Sequence, residues 1–328
     1  MKVSVVMTTY NGEKYVCEQL NSIYRQTQPP NEVIICDDCS TDKTAQIINE
    51  FIEKHNLTNW IFSVNQENKG WQRNFLEAME KATGDILFLC DQDDVWLNDK
   101  IECMTNVIKS NDKVKCLAGN IVTIDENGEV FNNKHGYSLG DNTNRVTPIP
   151  FAKDFNTITI LGCSLCLTRE LAKIIRELNV KNYSHDSQTC RLATLLDGMY
   201  LIDKRVIKYR IHNSNTSGVA AGIGFGSANV DKRIRTIKEN IQWLEALLNY
   251  YKASSELSSD KLSVILKTKE MQERRCIFLA SRNPFQYIKL IKYRDYYSNA
   301  SMLIGDFAYC YGINKWAGKI LWFLRKRH

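Results

Sequence analysis

Three carboxylates stand within four positions at Asp91, Asp93 and Asp94, directly after the apolar run 86–90. Carboxylates crowded so closely repel one another unless a positive group joins them. A hard divalent cation such as Mg²⁺ or Mn²⁺ takes oxygen ligands and is often shared with the phosphates of a nucleotide. The cluster therefore predicts a nucleotide-dependent transferase with a metal site, and the alternative is a solvated acidic turn after a strand.

Polar residues also follow two other predicted strands. Residues 8–12 come after the β-rich run 3–7, and residues 37–42 come after the run 32–36. Ligands of a parallel sheet bind outside the carboxyl ends of its strands, so we expect these segments and the three carboxylates to share one cleft. The plainer interpretation is a turn at 11–12 and a helix N-cap near residue 42.

Strand and helix patterns alternate over the first hundred residues. The patterns predict strands at 3–7, 32–36, 60–64 and 85–90, and helices at 14–26, 44–55 and 74–81. Such alternation predicts an α/β fold with a mostly parallel central sheet flanked by helices. From residue 231 apolar residues recur at helical spacing, so we expect a first domain over 1–227 and a helical C-terminal region over 228–328.

The composition is that of a globular protein, with 328 residues of which 44% are hydrophobic and 24% are charged. The net charge of +6 is spread along the chain, which argues against a nucleic-acid binder. The 11 cysteines show no disulfide framework and no signal segment is apparent, so we expect a reducing cytoplasmic setting. Two C-x-x-C pairs, Cys36 with Cys39 and Cys163 with Cys166, favour core packing over a zinc site.

Seven segments, taken in order, resemble the family 2 glycosyltransferases and, more narrowly, their bacterial rhamnosyltransferase-like branch. The segments are 3–12, 37–42, 68–74, 90–96, 160–164, 185–186 and 209–213. One such motif is weak evidence, but seven in the expected order are specific. The resemblance covers about residues 1–218, and it implies a GT-A nucleotide-sugar-binding domain over 1–227.

The resemblance also implies contacts to the nucleotide of a nucleoside-diphosphate sugar. Thr8 and Tyr10 match contacts to the nucleoside, and Asp38 matches the acceptor of a base N–H group. Arg73 matches a contact to the base or a phosphate, and Asp91 matches a residue that faces the ribose. Two plainer alternatives stay open here: Tyr10 as a core residue, and Arg73 as a solvated charge near a helix start.

Three further residues match the chemical centre of this family. Asp93 matches the second aspartate of the D-x-D motif, implying a ligand to a divalent cation, Mg²⁺ or Mn²⁺, that bridges the diphosphate. His212 matches a further metal ligand or diphosphate contact, and Asp186 matches the general base that takes the proton of an acceptor hydroxyl. The alternatives are a helix N-cap for Asp186 and a bond to a loop carbonyl for His212.

These features predict a metal-dependent inverting glycosyltransferase of cell-surface polysaccharide biosynthesis. It would move a hexose, or a deoxyhexose such as rhamnose, from a nucleoside-diphosphate sugar to a saccharide or lipid-linked acceptor. Ser187 and Gln188 stand where the rhamnosyltransferase-like branch commonly carries aromatic residues, which weakens the case for rhamnose. The alternatives are a sugar-nucleotide nucleotidyltransferase, although residues 8–12 lack its Gly-rich phosphate loop, and a non-catalytic nucleotide-binding scaffold.

The C-terminal segment 313–328 carries a separate pattern. Apolar residues recur at helical spacing over 313–324, and the basic run 325–327 follows them. A basic amphipathic helix with tryptophan suits an anionic membrane surface, and packing against the rest of the protein is the alternative. The first interpretation predicts a cytoplasmic protein with a peripheral contact at the inner face of the plasma membrane.

Overall fold

The computed structural model describes residues 1–131, 141–180, 183–212, 230–254, 257–297 and 300–313. The chain divides into two compact units. The first comprises Met1–Phe151, Thr159–Glu177 and Ser184–Ala220, and the second comprises Ala152–Ile158, Leu178–Tyr183 and Ala221–His328. The predicted domain boundary at residue 227 and nearly all of the predicted amphipathic segment 313–328 lie outside the described residues.

Within the described residues, the first unit contains nine strands that form one sheet. The strands are β1 (Val3–Thr9), β2 (Glu32–Asp37), β3 (Trp60–Val64), β4 (Ile86–Cys90), β5 (Val95–Trp96), β6 (Cys116–Ile124), β7 (Val146–Pro148), β8 (Leu165–Thr168) and β9 (Met199–Arg210). The helices are α1 (Val16–Tyr24), α2 (Thr44–Lys54), α3 (Trp71–Lys81), α4 (Lys100–Ser110), α5 (Arg169–Leu178), whose last residue falls in the second unit, and α6 (His185–Leu195). The predicted α/β fold, with a central sheet flanked by helices, is confirmed.

The sheet order is β3-β2-β1-β4-β8-β6-β9-β5, and β7 pairs with β9. The four strands predicted over the first hundred residues, β1 to β4, pair in parallel. Strand β8 lies between β4 and β6 and is antiparallel to both. Every residue of β1, β2 and β4 is buried, as expected for central strands that helices cover on both faces.

The connection from β4 to β5 passes through the segment Asp91–Asp94, called the acidic loop below. Strand β5 pairs with the end of β9, where Val95 lies opposite Lys208 and Trp96 lies opposite Ile207. The acidic loop is therefore held between the carboxyl end of a central strand and the last residues of β9.

The second unit is helical and contains α7 (Val230–Ser254), α8 (Ser259–Ser281), α9 (Pro284–Leu290) and α10 (Ala300–Cys310). Its core packs around Phe278, Leu279 and Leu290, with the buried carboxylate of Asp306 joined to Arg233 and Arg275. The predicted helical C-terminal region is confirmed. Among the helices that the structure describes, none has both the length and the apolar character needed to cross a bilayer.

Candidate functional site

Side chains at the carboxyl ends of β1 and β2 lock these two strand ends together. The Thr9 hydroxyl donates to Asp37 Oδ1 at 2.6 Å, and the Asp38 N–H donates to the Thr9 carbonyl at 2.8 Å. One residue beyond Tyr10, the Asn11 side-chain oxygen accepts the Thr41 N–H at 2.8 Å. The first two polar segments predicted to share a cleft therefore lie side by side.

Gln92 joins the acidic loop to the segment that follows β1. Its Oε1 accepts the N–H of Tyr10 at 2.7 Å, and its Nε2 donates to the Tyr10 carbonyl at 2.9 Å. A Cβ atom on Gly12 would lie 2.3 Å from Gln92 Oε1, so only glycine leaves space for this amide. All three predicted polar segments thus converge at one edge of the sheet.

The predicted nucleoside contacts lie in different surroundings. Thr8 is buried at the end of β1, whereas Tyr10 is 46% exposed, so the interpretation of Tyr10 as a core residue is wrong. Arg73 lies near the start of α3, where its Nε donates to Glu77 Oε1 at 2.7 Å and its side chain is largely exposed. Their contacts to a nucleotide stay predictions.

The carboxylate of Asp38 is buried and already organises the protein around it. It accepts the side-chain amide of Asn65 at 2.9 Å and the backbone N–H groups of Lys69 and Gly70 at 2.9 and 2.8 Å. These bonds hold the turn that leads into α3. The predicted bond to a base N–H stays a prediction, and it would use the remaining acceptor capacity of a carboxylate that serves three protein donors.

The acidic loop concentrates negative charge in a buried place. Burial, with Asp93 and Asp186 nearby, raises the pKa of Asp91 to about 7, while Lys100 opposes the shift. Burial together with Asp93 and Asp91 also raises the pKa of Asp94 well above its usual range. An added positive charge would relieve this crowding, because an opposite charge favours the ionised carboxylates.

Asp93 and His212 are in direct contact. Asp93 Oδ2 lies 2.8 Å from His212 Nε2, and both side chains are mostly buried. Arg210, at the end of β9, donates from Nε to the Asp93 carbonyl at 2.8 Å, and its N–H donates to Asp94 Oδ1 at 2.9 Å. The buried Arg210 guanidinium thus lies beside the acidic loop, where it also pairs with the carboxylate of Glu18.

Asp186 is the second residue of α6. The N-cap of this helix is Ser184, whose side chain accepts from Ser187 N, so the interpretation of Asp186 as the N-cap is wrong. Asp186 Oδ1 accepts the adjacent Ser187 N–H at 2.8 Å. Its carboxylate therefore lies in the first turn of α6, where the helix dipole favours negative charge.

Gly162 brings the start of α6 against the loop before β8. A Cβ atom on Gly162 would lie 2.8 Å from His185 Nε2 and 3.5 Å from the Asp186 Cβ. The His185 ring stacks on Phe75 with centroids 3.9 Å apart, and Trp71 meets its edge at 5.7 Å. Burial lowers the pKa of His185, which keeps this ring neutral at neutral pH.

The next residue, Cys163, reaches the acidic loop. Candidate ligand atoms of Cys163, Asp91 and Asp94 all lie within 4.8 Å of one another. The turn at Gly162 and Cys163 thus contacts Asp186 on one side and the acidic loop on the other. The structure therefore places Asp186 and the acidic loop in one neighbourhood, close enough for Asp186 to raise the pKa of Asp91.

Residues 4–172 match the family described as Glycosyl transferase family 2. The chain belongs to this family. Its characteristic segment ends in α5, so the match includes the acidic loop and the Gly162 turn but neither Asp186 nor His212.

Relatives of this family 2 glycosyltransferase include two proteins that are themselves described as glycosyltransferases. The poly(ribitol-phosphate) beta-N-acetylglucosaminyltransferase TarS of Staphylococcus aureus is 42% identical over 29% of the chain and 16% of TarS. The putative teichuronic acid biosynthesis glycosyltransferase TuaG of Bacillus subtilis is 34% identical over 30% of the chain and 39% of TuaG. The matches therefore span well under two thirds of the length of either relative.

Solved structures of TarS resemble the glycosyltransferase over most of its length. TarS residues 1–349 in complex with UDP-GlcNAc match with a TM-score of 0.59 and 17% identity, over 95% of this chain and 92% of that one. The same fragment in complex with UDP matches with a TM-score of 0.54. At this identity the likeness establishes the GT-A fold.

Two sets of side chains in this family 2 glycosyltransferase are candidate cation ligands. One is Cys163 with Asp91 and Asp94, and the other is Asp93 with His212. Burial and the neighbouring Asp94 and Asp91 raise the pKa of Cys163 well above its usual range, and hard cations such as Mg²⁺ and Mn²⁺ prefer oxygen ligands to a thiol. Asp93 Oδ2 and His212 Nε2, 2.8 Å apart, have the spacing of two adjacent ligands on one ion. Carboxylate oxygens suit Mg²⁺ and Mn²⁺ and a neutral imidazole is a common ligand of other first-row ions, so the predicted pair Asp93 and His212 fits a divalent cation without selecting which one.

Sequence reasoning missed two residues of the site. The first is Gln92, whose position between Asp91 and Asp93 in the sequence could have indicated that it belongs to the site. Lys100 is fully buried at the start of α4, where it donates to the Cys163 carbonyl at 2.5 Å and lies 3.8 Å from the Trp96 ring centroid. A lysine at a helix start is ordinarily exposed, so the sequence carried no sign of this buried charge.

Proposed function

We propose that this family 2 glycosyltransferase moves a sugar from a nucleoside-diphosphate sugar to a hydroxyl of a saccharide or lipid-linked acceptor in cell-surface polysaccharide biosynthesis. The observation that carries the proposal is the turn at Gly162 and Cys163, which lies beside Asp186 and brings Cys163 within 4.8 Å of Asp91 and Asp94. Transfer needs a base for the acceptor and a positively charged site for the departing diphosphate. Asp186 is the candidate base, and a cation bound at the acidic loop is the candidate positive charge.

The reaction we propose is a single displacement. The acceptor oxygen bonds to the anomeric carbon while the bond from that carbon to the diphosphate breaks, and its electron pair leaves with the diphosphate. The proton of the acceptor hydroxyl passes to the Asp186 carboxylate. One displacement inverts the anomeric configuration, as in inverting glycosidases, where water takes the place of the sugar hydroxyl.

We assign the diphosphate end of the donor to Asp93 and His212. A divalent cation held by this pair would supply positive charge to the departing diphosphate. Arg210 supports the assignment, because its bonds to the Asp93 carbonyl and to Asp94 fix the backbone that presents Asp93. Thr8, Tyr10, Asp38, Arg73 and Asp91 remain the proposed contacts to the nucleotide.

The donor we propose to test first is UDP-GlcNAc. TarS structures are described in complex with UDP-GlcNAc and with UDP, and their fold is that of this chain. A nucleoside diphosphate linked to a deoxyhexose such as rhamnose is the second donor, on the resemblance to the rhamnosyltransferase-like branch.

The experiment measures the products formed from each donor in the presence of Mn²⁺, with a lipid-linked or saccharide acceptor. Transfer releases the nucleoside diphosphate and yields an inverted glycoside. Release of pyrophosphate from a nucleoside triphosphate and a sugar phosphate would instead assign a nucleotidyltransferase. Donor binding without either product across the acceptor panel would assign a scaffold and contradict the proposal.

A further inference from the structure

Helix α9 of the second unit is apolar on two faces. One face packs inward, where Leu290 is fully buried and the Tyr287 ring lies 5.1 Å from Phe278 and 4.9 Å from Phe307. A surface helix of a globular protein ordinarily turns polar side chains to solvent on its opposite face. The opposite face of α9 departs from this pattern.

Three large apolar side chains point away from the core here, and together they are called the apolar ridge. Phe285 is 71% exposed, Ile288 is 59% exposed and Ile291 is 48% exposed. They recur every third residue through α9 and into the short 3-10 turn Ile291–Tyr296, so they lie along one side of the segment. Single exposed apolar residues are ordinary, but an exposed contiguous row marks an interaction surface.

Basic residues lie before, between and after the residues of the apolar ridge along the chain, and they are called the basic rim. They are Arg282, Lys289, Lys292 and Arg294, all of them exposed. Over residues 281–297 the acidic residue is Asp295, which lies 3.5 Å from Lys153 and 3.5 Å from Arg294. Lys292 lies 4.0 Å from Glu270, a carboxylate that Arg274 contacts at 2.7 Å. The rim therefore carries a net positive charge.

We propose that the apolar ridge and the basic rim form a contact site for the surface of an anionic phospholipid bilayer. Apolar side chains on an exposed helix insert at the boundary of headgroups and acyl chains, while lysine and arginine attract anionic headgroups. The site requires no membrane-spanning helix. It goes beyond the proposed transfer reaction and stands independently of it.

The charge of the rim distinguishes a bilayer from a second copy of the chain. A two-fold contact places the same patch of both copies face to face. Two basic rims would then oppose each other, and like charges across an interface are unfavourable. An anionic bilayer complements the rim and also accepts the ridge.

The experiment measures partitioning of the full chain onto vesicles of phosphatidylcholine alone and of phosphatidylcholine mixed with phosphatidylglycerol. We expect binding to the mixed vesicles, weakened by added salt because ions screen the rim. The double variant Phe285→Ser/Ile288→Ser should lower the partition coefficient about tenfold, since it removes two inserting side chains. Lys289→Gln/Lys292→Gln should lower binding to the mixed vesicles and leave the phosphatidylcholine result unchanged.

Leu266→Ser is the matched control, because Leu266 is 52% exposed on α8, well before the turn into α9. Circular dichroism and the Tm of each variant establish that it is folded. Equal binding of the wild type to both vesicle types, or an equal loss in Leu266→Ser, would overturn the proposal. The proposal would also be overturned if the ridge variants kept vesicle binding while truncation after residue 313 removed it. Self-association in the absence of vesicles, abolished by the ridge variants, would overturn it as well.

Discussion

The side-chain amide of Gln92 pairs with the backbone of Tyr10 through both of its polar atoms, at 2.7 and 2.9 Å. The amide thereby hydrogen-bonds to the segment after β1 in the way that a peptide group of a neighbouring strand would. Because Gln92 stands between Asp91 and Asp93, this pairing fixes the acidic loop against the segment proposed to contact the nucleoside. Gly12 completes the arrangement by leaving space for the amide.

We expect Gln92→Ala to raise the donor KM about tenfold with a smaller effect on kcat, because two hydrogen bonds that position the acidic loop are lost. Steady-state kinetics with varied donor measures this. Gln46→Ala, on the exposed face of α2, is the matched control and should match the wild type. An unchanged donor KM in Gln92→Ala would remove the positioning role.

Asp186→Asn should lower kcat by about 10²–10⁴-fold, because the amide cannot take the proton of the acceptor hydroxyl. The donor KM should stay within a few-fold of the wild type, since the change is nearly isosteric. Single-turnover transfer with saturating donor isolates the chemical step. Asp197→Asn, at an exposed position beyond the end of α6, is the control, and full activity in Asp186→Asn would refute the base assignment.

Gly162→Ala tests the contact between the Gly162 turn and α6. The added methyl group would lie 2.8 Å from His185 Nε2, and Phe75 blocks the retreat of that ring. We expect the free energy of unfolding to fall by about 1–3 kcal/mol, as for other overpacked sites, and kcat to fall at least about tenfold as Asp186 is displaced. Gly312→Ala, at a position with no neighbouring atom within 4 Å, tests glycine replacement without crowding, although its positive φ adds local strain of its own.

Asp93→Asn should abolish the additional rise in Tm that Mn²⁺ gives in the presence of UDP. A ligand stabilises the native state in proportion to the logarithm of its concentration over Kd, so a weakened site gives a smaller rise. His212→Gln should reduce the same rise. Thermal melts over a Mn²⁺ series measure it, with Asp99→Asn as the control, and an unchanged rise in Asp93→Asn would contradict the ligand assignment.

The second unit offers a prediction on pH. Burial alone would raise the pKa of Asp306, but the guanidinium groups of Arg275 and Arg233 hold it below its usual value. Such a carboxylate stabilises the fold above its unfolded pKa, and this stabilisation is lost as the pH falls through its lower folded pKa. Asp306→Asn should therefore cost about 3–5 kcal/mol at pH 7 and much less at an acid pH below the folded pKa of Asp306.

Hydrogen exchange of α8 amides near Arg275, followed by mass spectrometry at both pH values, measures this effect locally. Asp260→Asn, at the other end of α8, is the control and should leave exchange near Arg275 unchanged. A loss of protection in Asp306→Asn that is equally large at both pH values would contradict the electrostatic origin.

The sequence predicted the part of the fold that local periodicity determines. Strands β1 to β4 and helices α1 to α3 lie where the apolar patterns placed them, within a few residues at the ends. Strand β8 was missed because its four residues, three of them apolar, do not distinguish a strand from a buried helix segment. Its place between β4 and β6 depends on pairing with residues far along the chain, which no local pattern encodes.

The site residues likewise include some that the sequence predicted and some that it did not. Asp91 and Asp93 were identifiable because their spacing along the chain is itself the signal. The proximity of Asp186 to them is carried by the Gly162 turn and is a property of the folded unit. Lys100 was unpredictable for a further reason, since its burial depends on the Cys163 carbonyl and the Trp96 ring meeting its amino group.

Arg210 has a consequence for biosynthesis of the protein. It bonds to the carbonyl of Asp93, a residue that precedes it by 117 positions. At about 5–20 residues per second, the ribosome adds this arginine on the order of ten seconds after the aspartates. During that interval the acidic loop lacks the bonds that Arg210 makes to the Asp93 carbonyl and to Asp94, so the loop reaches its final conformation only once the ninth strand has been translated and has docked.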